Sequence, residues 1–585
     1  MVNLKINGTS IQVEDGTTIL DAAKKVNVKI PTLCYNPDLP PWASCGICIV
    51  RTAGPGSPRM ARACTTPVAE GMDVITHDAE LIAVRRTVVE LILSNHPNDC
   101  LQCPRNGNCE LQTLAAEFGI RESPYKKILS ALPIDDSNPA IVLNPEKCIR
   151  CGRCVKVCQE VQNVWALEFL GRGIKGRIAS AADVPLGESP CIKCGQCAAH
   201  CPVGAIYERD DTVKVWAALQ NPDLHPVVQI APAVRVALAE EFGLEPGTIL
   251  TKKIYAALRR LGFKTVFDTN FSADLTIMEE GTELVKRLTE KSKDIPLITS
   301  CCPAWVDYME KYYADMIPNF STAKSPQQMM GAMIKAYWAG KAGIDPKKVY
   351  SVSVMPCTAK KWETQRNDDM KSAGAGQDVD IVITTRELAR MIKQAGIEIL
   401  KLDDEEADNP LGPYTGAGTI FGVTGGVMEA AVRSAYYLVT KKELADVNFK
   451  PVRGLDGVKE AEVDFGNGTK IRIAVAHQMG NIAAVLDKIR AARDAGQETP
   501  YHFVEVMACR GGCVSGGGQP YGVTDEVRAK RTRGIYSDDE KSAIRCSHLN
   551  PYIQQVYKEF LGEPNGHKAH ELLHTKYVPR ELYLR

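Results

Sequence analysis

Residues 505–520 read Glu505-Val506-Met507-Ala508-Cys509-Arg510-Gly511-Gly512-Cys513-Val514-Ser515-Gly516-Gly517-Gly518-Gln519-Pro520. A candidate strand, 502–507, runs straight into two cysteines four residues apart, and glycines strip most of the side chains from the turn around them. Glycine loses more conformational freedom on folding than any other residue, so chain this rich in it passes close to something or takes positive φ. Standing alone, the stretch could equally be a flexible loop with two incidental thiols. The other cysteines decide between these readings.

A chain of 585 residues exceeds what one hydrophobic core holds, so several domains are expected. Lys plus Arg and Asp plus Glu both number 70, so no overall field draws the chain to nucleic acid or to an acidic membrane. The acidic run Asp403-Asp404-Glu405-Glu406 reads as a solvated loop. The first residues lack a secretory pattern, and no apolar run approaches the length of a bilayer span. A cytoplasmic protein with no nucleic-acid or membrane partner is expected. Twenty-one cysteines in such a chain argue for metal rather than disulfides, because the cytosol keeps thiols reduced. Fifteen lie before residue 202 in short, ordered spacings.

Residues 2–13 alternate apolar and polar about Asn7-Gly8, a dipeptide suited to a tight hairpin, and a helical pattern follows over 18–26. The segment resembles a ubiquitin-like (β-grasp) ferredoxin domain. Its cysteines, Cys34, Cys45, Cys48 and Cys64, are the number that a 2Fe-2S cluster requires. Ten residues separate the first two, unlike plant-type ferredoxins, so the resemblance is to the N-terminal domains of multi-cluster enzymes. A helical segment, 78–94, then leads to His96, Cys100, Cys103 and Cys109. Spacing leaves the fourth ligand open, since a lone histidine beside Pro97 is ordinarily a loop residue. The run H-x3-C-x2-C-x5-C is similar to the histidine-ligated 4Fe-4S site of iron-only hydrogenases and of the large peripheral subunit of respiratory complex I. That resemblance implies His96.

Cys148, Cys151, Cys154 and Cys158, then Cys191, Cys194, Cys197 and Cys201, repeat the bacterial ferredoxin pattern C-x2-C-x2-C-x3-C. In such pairs the fourth cysteine of each run serves the other cluster. Cys201 therefore joins Cys148, Cys151 and Cys154, and Cys158 joins Cys191, Cys194 and Cys197. Zinc sites pair two C-x2-C knuckles across a spacer, whereas here three cysteines fall within seven residues. Gln159 stands where proline is usual, and a longer insert separates the runs.

From about residue 216 the texture becomes α/β, with candidate strands at 227–230, 295–299, 349–355, 380–384, 471–476 and 502–507. Three run into cysteines, and open α/β sheets bind ligands just beyond the carboxyl ends of their strands. The three segments are Thr299-Ser300-Cys301-Cys302-Pro303-Ala304-Trp305, Met355-Pro356-Cys357-Thr358-Ala359-Lys360-Lys361-Trp362-Glu363, and 505–520. Together they resemble the three signature segments of FeFe-hydrogenases, and the resemblance extends over essentially the whole chain. It is strongest to the catalytic subunits of multi-subunit NADP-reducing hydrogenases.

The resemblance implies an H-cluster: a 4Fe-4S cubane on Cys302, Cys357, Cys509 and Cys513, with Cys513 bridging to a diiron subsite that carries CO, CN and azadithiolate. It further implies that Lys360 hydrogen-bonds a cyanide and that Met355 and Met507 wall the diiron unit. Cys301 would pass protons, with Glu280, Ser321 and Glu283 continuing the relay. Taken alone, Glu280 and Glu283 would read as a solvated helix face. The glycines of 505–520 are expected to let backbone enclose the organometallic group.

Two other patterns are set aside. Gly416-x-Gly418-x-x-x-Gly422 follows no strand, so a dinucleotide loop is not expected, and no P-loop occurs. His567, His570 and His574 depart from the zinc motif H-E-x-x-H, and the resemblance places them in a C-terminal extension that wraps the active-site domain. Cys546 reads as a free thiol.

The expected organisation is multidomain. A 2Fe-2S domain spans 1–78, a small His/Cys 4Fe-4S domain 79–125, a bacterial ferredoxin-like two-cluster α+β domain 126–215, an α/β H-cluster domain 216–530, and a small-subunit-like extension 531–585. The expected function is reversible oxidation of H2 to protons and electrons. Electrons would pass through one 2Fe-2S and three accessory 4Fe-4S clusters to flavin- and NAD(P)-binding partner subunits, to ferredoxin, or to both. A noncatalytic hydrogen sensor or a complex I-like electron-transfer subunit is the rival. The scaffold leaves the three late cysteine segments unexplained, and a sensor would be expected to add a signalling domain. The motif count sets an iron load of about 20 atoms per chain. Metal analysis of the fully matured chain should return that figure, and half of it with no zinc would refute the cluster count.

Overall fold

The computed structural model describes residues 1–54, 60–129, 132–408, 411–465 and 470–583, so Leu584 and Arg585 of the expected extension lie outside the described residues. The chain divides into two compact units. The first holds residues 1–161, 165–189 and 200–207, and the second holds 162–164, 190–199 and 208 onward.

The first unit opens on a five-stranded sheet of β1 (Val2–Ile6), β2 (Thr9–Val13), β3 (Ile49–Ala53), β4 (Met60–Arg62) and β5 (Met72–Ile75), in the order β2-β1-β5-β3-β4. Asn7 and Gly8 both take positive φ, 50° and 82°, as the tight β1–β2 hairpin requires. Val2, Leu4 and Ile6 alternate inward onto the helix Ile19–Lys25, whose first turn is capped by the Thr18 hydroxyl accepting from Asp21 N. Asp78 likewise caps the helix Ala79–Asn95, which ends against His96. Beyond it, β6 (Ile141–Leu143) precedes the insert between the ferredoxin runs, which folds as an antiparallel hairpin of β7 (Leu167–Leu170) and β8 (Arg177–Ser180). Gln159 Nε2 donates to Leu167 O at 3.0 Å, so this departure from proline anchors the insert. β9 (Ile206–Glu208) pairs with β6 where the first unit ends.

The second unit is built on two four-stranded sheets. Its strands are β10 (His225–Ile230), β11 (Thr265–Asp268), β12 (Leu297–Ile298), β13 (Val349–Met355), β14 (Ile381–Thr384), β15 (Val458–Asp464), β16 (Lys470–His477) and β17 (Phe503–Met507). One sheet runs β11-β10-β13-β14, all parallel. The other runs β12-β17-β16-β15, parallel except for the edge strand β15. Sequence reading missed β11, which is four residues long, and β15, whose Lys459, Glu460, Glu462 and Asp464 hide the alternation that turns Lys459 and Val463 inward. The strand expected at 295–299 shrinks to two residues, because Pro296 has no N–H to give a ladder.

One further expectation changes. The acidic run 403–406 is exposed but not merely solvated: Asp404, Glu405 and Glu406 pair with Lys253, Arg259, Arg260 and Lys252 of the helix Thr251–Leu261. The glycines 416 and 418 lie in a buried helix, Gly416–Ile420, where a Cβ on Gly418 would meet Asn270 O at 2.4 Å. Close helix packing explains them. In the C-terminal segment His574 Nε2 bonds Glu279 Oε2 at 3.0 Å and its Nδ1 bonds Thr322 Oγ1 at 2.8 Å, which accounts for that histidine without metal. Cys546 is buried, and burial pushes its thiol up to about 11. Among the described residues no helix is long and apolar enough to cross a membrane.

Candidate active site and cluster sites

β12, β13 and β17 end together, and the three cysteine segments converge on one cavity of about 80 Å³. Cys301, Cys302, Cys357, Cys509 and Cys513 line it with Met355, Met507, Lys360, Gln327, Phe421 and the Ala231–Ala233 turn after β10. The motif residues that carry no thiol hold these loops. Trp305 Nε1 donates to Thr299 O at 3.0 Å, the Ser300 hydroxyl donates to Ala323 O at 2.8 Å, and Pro303 opens the helix Pro303–Tyr312 with Cys302 at its N-cap.

The glycines do more than line the site. Gly512 and Gly516 line the cavity, but what a side chain would strike is protein: a Cβ on Gly516 would sit 2.1 Å from Pro356 O, one on Gly517 2.5 Å from Cys194 O, and one on Gly518 2.7 Å from Thr384 Cβ. Bare backbone brings the 505–520 turn against the exit of β13, the cap of β14 and the second ferredoxin loop. That loop is bound in turn by Thr358 Oγ1 donating to Lys193 O at 2.8 Å and by Gln196 Nε2 donating to Cys509 Sγ at 3.2 Å.

Burial pushes every thiol of the cavity up, Cys357 and Cys513 to about 12 and Cys301 and Cys509 well above the usual thiol range. Thiols so placed are held as thiolates only by compensating positive charge, which bound iron supplies. Helix N-termini add N–H groups: those of Ala304 and Trp305 favour the Cys302 thiolate, and those of Ala359 and Lys360 favour Cys357. Burial alone would lower Lys360, but the Glu363 carboxylate reverses that and keeps the ammonium charged. Lys360 Nζ donates to Glu363 Oε2 at 2.9 Å and to Cys301 O at 3.1 Å, and Gln327 Nε2 and the Ser325 hydroxyl hold the same Oε2. Sequence reading quoted Glu363 without a role and missed Gln327, whose Oε1 is buried with no partner on the cavity wall. The donor set and this orphaned acceptor suit the six-iron group that the motifs imply.

Behind Cys301, the helix Asn270–Thr289 presents two carboxyls in unlike settings. Glu280 is 1% exposed, and burial followed by repulsion from Glu283 pushes it up to about 8. Its oxygens make no hydrogen bond, although the Ser321 hydroxyl and Ser300 N–H beside it temper the shift. Glu283 is the outer group, accepting from the Ser321 hydroxyl at 3.0 Å and from Arg287 at 2.7 Å. Ser321 is thus bonded to one carboxyl and adjacent to the other.

The first unit carries three more thiol sets. Cys34 pairs with Cys45, and the Cys48 and Cys64 sulfurs lie 3.3 Å apart. The hydrogen bond within each pair lowers one thiol, Cys34 or Cys48, and raises its partner. Four sulfurs drawn together in this way suit a 2Fe-2S cluster, which Cys34, Cys45, Cys48 and Cys64 would hold. His96, Cys100, Cys103 and Cys109 line a cavity of about 350 Å³. His96 Nδ1 bonds Pro97 O at 2.9 Å while its buried Nε2 has no partner, which suits a ligating nitrogen oriented from its other side. Cys148, Cys151, Cys154 and Cys201 surround a third, narrow cavity. Cys191, Cys194 and Cys197 belong to the second unit, and Cys158 to the first, where its sulfur accepts from Ala166 N at 3.3 Å.

Residues 224–517 match the family model described as iron only hydrogenase large subunit, C-terminal domain, and 525–580 match iron hydrogenase small subunit. Residues 1–79 match a 2Fe-2S iron-sulfur cluster binding domain, 85–124 the NADH-ubiquinone oxidoreductase-G iron-sulfur binding region, and 147–205 a 4Fe-4S dicluster domain. NADP-reducing hydrogenase subunit HndD of Solidesulfovibrio fructosivorans is 47% identical over 592 residues, covering 99% of each chain. Iron hydrogenase 1 of Clostridium pasteurianum is 41% identical over 587 residues, covering 99% of this chain and all of that one. The solved [FeFe]-hydrogenase HydA1 of Chlamydomonas reinhardtii superposes with a TM-score of 0.57 at 44% identity, over 64% of this chain and all of that one.

The Glu280 carboxyl yields a signed prediction. Its folded value, about 8, lies above its ordinary 4.5, so the folded chain keeps a proton that the unfolded chain releases. Its cost to stability is absent below pH 4.5 and grows as pH rises towards 8. Glu280→Gln should flatten that part of the decline, read as denaturation midpoints across this range in the cofactor-free chain. An unchanged pH profile would show that Glu280 ionises normally.

Proposed function

The chain belongs to the iron-only hydrogenase family, and on that premise we propose that it is the catalytic subunit of an NAD(P)+-reducing hydrogenase. It would take electrons from dihydrogen and hand them through iron-sulfur clusters to flavin- and nucleotide-binding partner subunits or to ferredoxin. The observation that carries the reading is the convergence of Cys302, Cys357, Cys509 and Cys513 on one cavity, with a fifth thiol, Cys301, backed by a buried carboxyl. Support for the nucleotide-linked form comes from the 47% identity to a subunit named for NADP reduction and from the NADH-G-like region at 85–124. The order of the five family matches supports the five-domain division at 78, 125, 215 and 530. The mixed sheet with the helix Ile19–Lys25 against it supports a β-grasp start.

When bound, the six-iron group supplies the centre at which dihydrogen is split and its two electrons are taken up. Cys302, Cys357, Cys509 and Cys513 would hold it, and Met355 and Met507 keep water from its flank. Lys360, fixed by Glu363, offers a charged donor in a dry site, where such donors act most strongly. Cys301 carries a proton that it does not release unaided. Glu280, pushed up to about 8, is poised to take that proton or return it near neutrality, because exchange is fastest when the group's affinity matches the ambient pH. Ser321 and Glu283 lead on to the Arg287 end of the helix. The accessory clusters would be held by the cysteines that their motifs supply.

Cys301→Ala should keep the carbonyl and cyanide infrared bands of matured protein yet lower hydrogen turnover on the order of 10²-fold or more. Cys513→Ala should lose the bands themselves. Near-normal evolution by Cys301→Ala would remove that thiol from the relay. Iron-sulfur clusters pass single electrons, whereas a nicotinamide takes a hydride, so a flavin must stand between them. The isolated chain should oxidise hydrogen with a one-electron dye and form no NADPH until flavin-containing partners are added. Substantial NADPH formation without flavin would overturn the subunit reading.

A further inference from the structure

The two ferredoxin runs form a local repeat, Cys148-Ile149-Arg150-Cys151-Gly152-Arg153-Cys154 and Cys191-Ile192-Lys193-Cys194-Gly195-Gln196-Cys197. Backbone geometry repeats with the residues. Arg150 and Lys193 take positive φ, 57° and 58°, as do Gly152 and Gly195, and the N–H of Arg150 and of Lys193 donates at 3.4 Å to the sulfur two residues earlier. One position changes chemistry: before the third cysteine stand Arg153 and Gln196. In both runs this side chain leaves its own loop and ties down the loop of another cluster.

Gln196 Nε2 donates to Cys509 Sγ at 3.2 Å and to Ser515 O at 3.1 Å. Arg153, 5% exposed, reaches three segments of the first unit. It donates to Tyr35 O at 2.7 Å, beside Cys34, and to both Glu110 oxygens at 2.6 and 2.7 Å, beside Cys109. A longer bond, 3.4 Å, goes to His200 O, beside Cys201. Neighbouring contacts draw the same segments together. Trp42 stacks on Phe169 with ring centroids 5.7 Å apart, a Cβ on Gly152 would meet Trp42 Nε1 at 3.0 Å, and one on Gly204 would meet Cys103 Sγ at 2.4 Å.

We infer that the residue before the third cysteine of each run is the positioning residue that fits a ferredoxin cluster to its next electron partner, and that Arg153 sets the potentials where the 2Fe-2S and His96 branches meet the Cys148 run. The inference rests on the cluster assignment proposed above. The exchange it governs is a one-electron step in which one reduced cluster is oxidised and its neighbour reduced, with no bond made or broken. Each cluster gains negative charge on reduction, so a fixed buried cation among them favours their reduced forms and raises their potentials. Gln196, at the inward contact, supplies instead a neutral N–H to a thiolate sulfur, a weaker influence of the same sign.

The test is an EPR-monitored redox titration of the full chain with its clusters loaded. Arg153→Gln places the second run's own residue in the first, so the local loop accommodates it. It should shift the 2Fe-2S midpoint and that of the neighbouring 4Fe-4S signal to lower values, whereas Arg153→Lys, which keeps the charge, should leave both near wild type. Glu110 is half-exposed and partly neutralises Arg153, so Glu110→Gln should move the 2Fe-2S midpoint upward. If Arg153→Gln fails to load its clusters, Glu110→Gln decides. An unmoved 2Fe-2S potential in a loaded Arg153→Gln chain, or in Glu110→Gln where that variant decides, overturns the inference. A wild-type chain with no 2Fe-2S signal after loading would instead overturn the assignment of Cys34, Cys45, Cys48 and Cys64, and the inference with it.

Discussion

Five sulfurs gathered around one cavity at the ends of two sheets are the constraint on which the second unit depends. Burial drives each thiol away from the thiolate that a metal requires, so everything around the cavity supplies positive charge or N–H groups or excludes water. Parallel strands bring three loops to one edge, short helices begin at Cys302 and just after Cys357, and a lysine held by Glu363 faces the same space. Glycines 516–518 then let the fourth and fifth sulfurs close the cavity, because no side chain stands between that turn and its neighbours.

The unlike settings of two carboxyls follow from the same burial. Glu280 and Glu283 sit three residues apart on one helix and share a face. Glu280 has no ion-pair partner and is pushed up to about 8, while Arg287 and Ser321 bind the carboxylate of Glu283. Two identical side chains thereby sit in different settings, one buried near the Cys301 thiol and one held by Arg287 and Ser321. The C-terminal segment closes over this region, with Tyr577 donating to Ser321 O at 2.9 Å and His574 engaged by Glu279 and Thr322.

The electron side reuses one device. Each ferredoxin run folds by the same φ pattern and the same N–H···S bonds, and each sends the side chain before its third cysteine to a neighbouring cluster loop. Repeating a backbone while changing one residue lets similar clusters sit in different electrostatic fields, which is how a chain of clusters acquires an order of potentials.

The cysteine spacings, the hairpin at Asn7-Gly8 and the strands that enter the three thiol segments were determined by sequence alone, whereas His96 was named by resemblance. Their physics is local: a cluster needs several sulfurs within a few residues, a two-residue turn needs positive φ, and a buried parallel strand is a short apolar run. Tertiary structure alone decided the rest. It showed that the glycines serve contacts between protein segments, that Glu363 and Gln327 hold the lysine, that Gly416 and Gly418 pack a helix, and that Arg153 joins loops beginning near Cys34, Cys109 and Cys201. Those facts depend on which backbone meets which across tens to hundreds of residues, and packing settles that through a few tenths of an ångström that no spacing of residue types records.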